Sequence, residues 1–456
     1  MSTTSRSTGK PLSSAPTDAR VAAAEIAADV RGGALLDVAF DRRVQRLEPR
    51  DRRWVQELLY GMMRRRAMID AQLDQCVRGG GGIAKLERDL VDLLRQGTYQ
   101  LLHMDSVPDY AAISQAVELV KRRHGIGTSR LANAVLRRID REHAALGERA
   151  LAACADPIDR MALESSHPRW MVARWIARWG EAETRQLLEE NNQEAPLVVR
   201  PFGVERDELT ASLEASGVET SQVQLVPESV QLRRGPAVVE LGAFQRGHLL
   251  VQDPAATLVV EYADIPPRCL VIDSCAAPGG KTIELSRAAA TVVAMDRSPA
   301  RLRRLEENLR RLDVRNVRVV VADAREAPFG ACADAVLVDA PCTGTGTIRR
   351  HPDARWRLKV SDLAVAAGGQ RQILRAAAEM VRPGGLLIYA TCSLEPEEND
   401  TQVEQFLREH DGWRLEPPSE TAVPATVLDA GRLRVLPHRH HVDGAFAARL
   451  RRPVSP

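Results

Sequence analysis

From Asp18 to about Glu142, apolar residues recur every three or four positions: Val21, Ala24, Ile26 and Val30; Trp54, Leu58, Leu59 and Met62; Leu90, Leu93 and Leu94; Ile113, Val117 and Val120. This period is that of one helix face, and glycine runs at 79–82 and 125–127 punctuate it, so the spacing predicts an all-helical domain. A second helical stretch, Trp170–Glu190, leads into a small α+β module with a strand at Leu197–Arg200, a helix near Glu205–Ser216, and strand-like runs at 221–226 and 237–241. His167-Pro168 and the turn at Gly242 suggest its limits. Beyond about Gly247 the pattern changes to short β-branched runs, Leu270–Ser274, Thr291–Asp296, Val317–Asp323, Ala335–Pro341 and Leu386–Thr391, with helical segments such as Arg301–Leu312 and Gln370–Val381 between some of them. Such alternation predicts a doubly wound α/β domain, whose ligands bind at the carboxyl ends of the strands. The expected division is a tail at 1–15, a helical domain at 16–145, a helical linker plus α+β module at 146–246, and the α/β domain at 247–456.

Composition narrows the class. With 456 residues, 44% apolar and 27% charged, the chain reads as a soluble protein of several domains. No run approaches the ~20 consecutive apolar residues of a bilayer helix. Seven cysteines without a CxxC pair argue against zinc ribbons and redox dithiols and fit a reduced, cytosolic setting. The net charge of +2 is uneven: residues 1–140 carry +6 and the remainder −4, a basic bias toward a polyanionic partner that the use of 58 Arg against 5 Lys makes less specific. Met1 to about Ala15, rich in Ser, Thr, Pro and Gly, reads as a disordered tail, with a transit peptide as the lesser alternative.

The strand ends carry the candidate chemistry. The first delivers Asp273-Ser274-Cys275-Ala276-Ala277-Pro278-Gly279-Gly280-Lys281-Thr282 into a helix. Its glycines let backbone amides approach a ligand, but the GxGxxG fingerprint of a pyrophosphate cradle is absent. Asp296 ends the second strand, where an acid can accept from both ribose hydroxyls, and Asp323 ends the third, within reach of an adenine amino group. A single such acid is usually a cap or a solvated residue; three beside a GG turn point to an adenosine ligand. The fourth strand delivers Asp339-Ala340-Pro341-Cys342-Thr343-Gly344-Thr345-Gly346 and the fifth Thr391-Cys392-Ser393. Cys76, Cys154, Cys269, Cys332 and Cys275 read as small buried hydrophobes. Cys342 and Cys392, at adjacent strand ends near Lys281, are candidate low-pKa nucleophiles.

DSCAAPGGKT (273–282), DAPCTGTG (339–346), TCSLEPEEND (391–400) and the upstream VQDPAA (251–256) resemble the motifs of the RNA cytosine-C5 methyltransferase superfamily, in order and at workable spacing. The helical front, with RVAAAEIAADV, RDRRWVQELLYGMMRR and LANAVLRR, resembles the NusB-like RNA-binding domain of the Fmu/Sun (RsmB) subgroup. The resemblance covers almost the whole chain. It implies a Rossmann-like domain that binds S-adenosyl-L-methionine through residues 275–281, Asp296, Arg301, Asp323 and Asp339. It implies methylation of cytosine C5 in 16S ribosomal RNA at a position-967 type of site, with Cys392 as nucleophile, Cys342 assisting release of the covalent adduct, and Asp339 and Lys281 completing the catalytic set. Asp339 is placed to bond the cytosine edge, where burial could hold it protonated, or to contact the methyl donor; both roles remain open. Pro341-Cys342 also resembles the nucleophile of DNA cytosine methyltransferases, and the presence of Cys392 favours the RNA assignment.

The chain departs from the family pattern at Asp443-Gly444-Ala445-Phe446, which has Ala where a second aromatic is usual. His438-Arg439-His440-His441 lacks a cysteine or acid cluster to complete a metal site and reads as a solvated or RNA-facing loop. With only 17 aromatic residues, phosphate contacts must carry much of the RNA affinity, and Arg301–Arg311 and Arg349–Arg357 are expected to add positive charge beside the cleft. A monomer without membrane or metal partners is expected. Competing readings are a transfer-RNA methyltransferase and an inert RNA-binding assembly factor; the former is disfavoured by the NusB-like front and the latter by the intact Cys342, Cys392, Asp339 and Lys281.

Overall fold

The computed structural model describes residues 15–77 and 81–454. The tail expected before Ala15, and Gly79 and Gly80 of the first glycine run, lie outside the described residues. The chain forms two compact units, one comprising residues up to Leu188 together with His351–Trp356, the other Glu189–Arg350 and the residues from Arg357 on.

The first unit is helical: α1 (Asp18–Arg31), α2 (Leu36–Arg43), α3 (Pro49–Cys76), α4 (Arg88–His103), α5 (Asp109–Ala152), α6 (Pro157–Ser165) and most of α7 (Arg169–Asn191). The periodic residues read from the sequence supply its core, with Ile26, Leu58, Leu59, Met62, Leu93, Leu94 and Leu136 all buried. As the glycine run at 125–127 predicts, Gly125 interrupts α5: it takes φ +82° and ψ 176°, which is not helical, and divides the span into two helical segments, a conformation glycine adopts without steric cost. His351–Trp356 belongs to this unit through hydrogen bonds of the Arg355 guanidinium to Ser166 O (3.2 Å) and of Trp356 Nε1 to Met63 O (2.8 Å).

The second unit opens with β1 (Leu197–Pro201), α8 (Arg206–Ala215), β2 (Glu219–Gln222), β3 (Val230–Arg234), the short helix α9 (Gly242–Gln245) and β4 (Leu249–Val251). The strands form an antiparallel sheet in the order β2-β3-β1-β4. Here the sequence reading is corrected: the run at 237–241 is a 3-10 turn over Val238–Glu240, and the strand lies at Val230–Arg234. That strand alternates buried and half-buried residues before two exposed arginines, so its apolar signal is weak.

The remaining elements are α10 (Pro254–Ala263), β5 (Leu270–Asp273), α11 (Gly280–Leu285), β6 (Thr291–Asp296), α12 (Pro299–Arg311), β7 (Val317–Val321), β8 (Ala333–Asp339), α13 (Ala354–Arg357), α14 (Val360–Met380), β9 (Val381–Thr391), α15 (Asp400–Glu409), β10 (Arg414–Leu415), β11 (Leu428–Asp429), β12 (Arg432–Val435), α16 (Pro437–His440) and β13 (Ala445–Arg451). The large sheet has the order β11-β12-β13-β9-β8-β5-β6-β7, with β10 on β13. Strands β7, β6, β5, β8 and β9 are parallel, and β13 joins β9 antiparallel. Both faces are covered, as a parallel sheet requires. Leu337, Ile388 and Ala447 pack into one apolar cluster, while their neighbours Val336, Val338, Leu387, Tyr389 and Phe446 pack into another. The register sets Asp273 beside Leu337 and Ala294, and Asp339 beside Ala390. The chemistry-bearing strand ends therefore line up along one edge as Asp323, Asp296, Asp273, Asp339 and Cys392.

Candidate active site

Following β5, the Ser274 amide donates to Leu337 O (2.9 Å) and the Ala276 amide to Met295 O (2.8 Å), pinning the turn to both neighbouring strands. Gly279 takes φ +109°, and a Cβ there would lie 2.3 Å from Leu305 Cδ1, so the turn sits directly on α12. Asp273 is buried and accepts from Thr282 Oγ1 at 2.6 Å. Beyond the turn, Lys281 Nζ donates to Asp339 Oδ2 at 2.7 Å. Burial alone would lower the Lys281 pKa, but Asp339, Cys392 and Asp273 outweigh it and raise it. Asp339 thus differs from the enclosed acid the sequence suggested: its side chain is 34% exposed and ion-paired, whereas Asp273 beside it is 1% exposed.

A cavity of roughly 510 Å³ opens along the strand ends. Of the residues singled out in the sequence, Cys275, Ala277, Asp296, Arg301, Asp323, Asp339, Cys342 and Cys392 line it, whereas Ala276, Pro278, Gly279, Gly280 and Lys281 do not. Asp296 accepts from the Ser298 amide (2.9 Å) and pairs with Arg301 (3.4 Å). Asp323 stands two residues past the end of β7 and is held by Arg325, whose hydrogen bonds bring its pKa down to about 2. The Cys275 thiol is pushed up by burial and then by Asp273, Asp339 and Asp296, which leaves it an apolar wall group and a poor nucleophile.

At the other end of the cavity Cys342 Sγ and Cys392 Sγ lie 3.3 Å apart. The S–H of Cys342 lowers the Cys392 pKa, assisted by Lys281 and opposed by burial, Asp339 and Asp443. Cys342 is raised by that same hydrogen bond, by burial and by Cys392 and Glu398. The pair is therefore asymmetric, with the Cys392 thiol pulled down and the Cys342 thiol pushed up. Loop packing fixes this approach: Gly346 N donates to Cys392 O (2.9 Å) and Gly444 N to Gly346 O (2.8 Å). A Cβ on Gly346 would fall 2.7 Å from Cys392 O.

Sequence reasoning missed several groups around this pair. Glu398 and Gln370 are buried behind it, the former within an acidic run and the latter in an alanine-rich helix, and neither had a distinguishing signal. A second buried network joins Arg349 to Asp443 (2.8 Å) and Glu190 (3.0 Å), and Arg350 to Asp443 (2.8 Å) and Asp253 (2.7 Å). Asp253 also caps α10 by accepting from Ala255 N at 2.8 Å. Arg349 and Arg355 are 2% and 0% exposed, so the expectation that residues 349–357 present positive charge to RNA is corrected for these two. Likewise 437–440 is a helical turn in which His438 is buried, while Arg439 and His441 are exposed as expected. Cys332 is exposed rather than buried. Among the described residues no three His, Cys, Asp or Glu side chains form a metal-binding group, and no helix is long and apolar enough to cross a membrane.

The cavity suits an adenosine-bearing methyl donor. Its size falls in the ~300–1,000 Å³ range of small-molecule sites, the Asp296 and Asp323 carboxylates stand at neighbouring strand ends, and Ile373 and Val365 add apolar wall. Fold and site together define an S-adenosylmethionine-dependent methyltransferase. A family model described as 16S rRNA methyltransferase RsmB/F matches residues 265–451, NusB family 17–141, and an RsmF/B-like ferredoxin-like domain 167–239. The chain belongs to the RsmB/F methyltransferase family. It is 34% identical to the probable ribosomal RNA small subunit methyltransferase B of Synechocystis, over 91% of this chain and 95% of that one. It is also 34% identical to ribosomal RNA small subunit methyltransferase B of Vibrio cholerae, over 91% and 93%. Among solved structures, that of PH0851 superposes with a TM-score of 0.80 at 27% identity, covering 95% of this chain and 98% of that chain.

Proposed function

We propose that this enzyme methylates C5 of a cytosine in 16S ribosomal RNA, at a position-967 type of site, through a covalent bond between Cys392 and C6 of the base. The observation that carries the reading is the asymmetric cysteine pair, 3.3 Å apart, at one end of a cavity whose other end holds Asp296 and Asp323. Cytosine C5 is too poor a nucleophile to react unaided, and a thiolate adding to C6 makes it carbanion-like. S-adenosylmethionine, when bound, supplies the electrophilic methyl group. Cys392 Sγ forms the S–C6 bond, the displaced electron pair makes C5 nucleophilic, and C5 takes the methyl group as the sulfonium S–CH3 bond breaks, its electron pair leaving with S-adenosylhomocysteine as the neutral thioether. A base then takes the C5 proton as the S–C6 bond breaks, which restores the Cys392 thiolate with net release of one proton. Cys342 is placed beside the leaving sulfur to assist that elimination. Lys281 stabilises negative charge on Cys392 and, by holding Asp339, orients a carboxylate at the cavity wall toward the base or the donor. Activity on ribosomal RNA implies a cytoplasmic enzyme.

The two cysteines act at different points of one cycle, so their variants should fail differently. Cys392→Ala is expected to bind S-adenosylmethionine but to transfer no methyl group. Cys342→Ala is expected to transfer and stall, leaving protein cross-linked to RNA in denaturing gels, while bisulfite sequencing of RNA from a deletion strain locates the nucleotide. Adduct accumulating in Cys392→Ala would instead make Cys342 the nucleophile.

A further inference from the structure

The loops carrying Cys342 and Cys392 converge on a side chain that no step above uses. Glu398, at the end of the 3-10 turn Pro396–Glu398, is 0% exposed. Its Oε2 accepts from the Thr343 backbone N–H (2.9 Å) and from Gln370 Nε2 (2.8 Å); its Oε1 accepts from Ser393 Oγ (2.6 Å) and from Thr343 Oγ1. Thr343 follows Cys342 and Ser393 follows Cys392, so one carboxylate grips the residue after each cysteine. Gln370 also donates to Pro341 O (3.0 Å), and Tyr389 OH donates to the Glu398 carbonyl (2.6 Å). Four donors suit the two oxygens of a carboxylate, whereas an amide would turn an N–H toward two of them.

We propose that Glu398 is the positioning residue of the cysteine pair: its carboxylate, bonded to Thr343 and Ser393, fixes the approach of the two thiols, and its charge, together with that of Lys281, makes Cys342 the S–H donor and Cys392 the thiolate. The proposal rests on the reading of Cys392 as nucleophile. The charges of Lys281, Asp339 and Asp443 act on Cys392, and those of Glu398 and Cys392 on Cys342, whose own charge acts in turn on the Tyr389 hydroxyl. Asp339 and Asp443 oppose a thiolate at Cys392, so the cation and the Cys342 donor must outweigh them. The raised Cys342 and lowered Cys392 pKa values follow this division.

The full-length protein is alkylated with iodoacetamide across a pH series, each cysteine is quantified separately by peptide mass spectrometry, and kcat and KM are measured on the same samples. Wild type should alkylate Cys392 before Cys342. In Glu398→Gln the Cys342-to-Cys392 ratio should rise several-fold and kcat should fall by about 10²-fold, the scale of a misplaced reacting group, with KM for S-adenosylmethionine unchanged. Glu398→Asp, which keeps the charge, should retain the wild-type order and recover part of kcat. Gln370→Met removes one donor without touching the carboxylate and covers the case in which Glu398→Gln does not fold; it should lower kcat with the order intact. Wild-type protein that alkylates Cys342 first would overturn the Cys392 reading itself. Wild-type order retained in Glu398→Gln, or unchanged kcat in Gln370→Met, would overturn the role of Glu398 alone.

Discussion

At the scale of single residues the site is a set of paired charges, and Asp273 is the buried acid among them that titrates near neutrality. Burial pushes the Asp273 carboxyl up to about 7; the Thr282 hydroxyl and Lys281 pull it down, and Asp339 adds to the rise. An unfolded carboxyl titrates near ~3.9, so the folded state holds this proton more tightly. The resulting stability is fully present below the unfolded pKa and is lost as pH rises through about 7. Asp273→Asn, which cannot titrate, should flatten the fall in stability between about pH 4 and 7 by up to ~4 kcal/mol, from a shift of roughly three units at 1.36 kcal/mol each. Urea midpoints across that range measure it, and a variant with the wild-type slope would show that Asp273 does not carry the effect. Asp253, pushed up to about 6 by burial and Asp443, should keep a smaller slope in the variant. The legibility of these residues differs for a physical reason. Cysteines and strand-end acids are conspicuous because the pattern places them at a ligand edge. Glu398 is one of the four acids in the run Glu395–Asp400, and its hydrogen-bond donors come from Ser393 in its own loop and from Thr343 and Gln370 in two other segments.

At the scale of elements, α14 shows where local signals mislead. The sequence suggests a helix over Gln370–Val381, yet the helix runs from Val360 through Gly368 and Gly369 to Met380. Neither takes a positive φ, and a Cβ on either would meet no atom within 4 Å. Gly368→Ala should therefore stabilise the protein by about 0.5–1 kcal/mol, the usual cost of a helical glycine. Gly369 lines the cavity, so Gly369→Ala should gain similar stability but weaken binding of the methyl donor or raise KM for RNA. Thermal midpoints and calorimetry separate the two, and unchanged binding in Gly369→Ala would remove the ligand-room explanation. The buried parallel strands were legible for the opposite reason: both faces are covered, so their sequences are continuous β-branched runs. The four-stranded sheet was less so, since strands such as Glu219–Gln222 expose most of their residues and are set by pairing rather than by local pattern.

At the scale of the molecule, the question is which of 58 arginines remain for RNA. Arg349 and Arg355 are enclosed, and Arg301 and Arg325 pair with Asp296 and Asp323. In the helical unit, Arg52 is committed to the chain itself, donating to Leu47 O and Gln45 O at 2.8 Å each and so holding the connection from α2 to α3. Around it Arg46, Arg50 and Arg53 are exposed. Arg50 lies in the first turn of α3, where positive charge opposes the helix dipole. A cation in an intrinsically unfavourable place is explained if a phosphate neutralises it. Replacing Arg46, Arg50 and Arg53 by alanine together should weaken RNA binding and reduce the slope of log affinity against log salt by about 0.7–0.9 for each phosphate no longer neutralised, leaving S-adenosylmethionine affinity unchanged. Arg349→Ala supplies the contrast, because it strands buried acids and should cost about 3–5 kcal/mol of stability without changing that slope. A triple variant with the wild-type salt slope would mean that the phosphates are gripped by other arginines, and that the basic charge of the front unit does not serve substrate capture at this face.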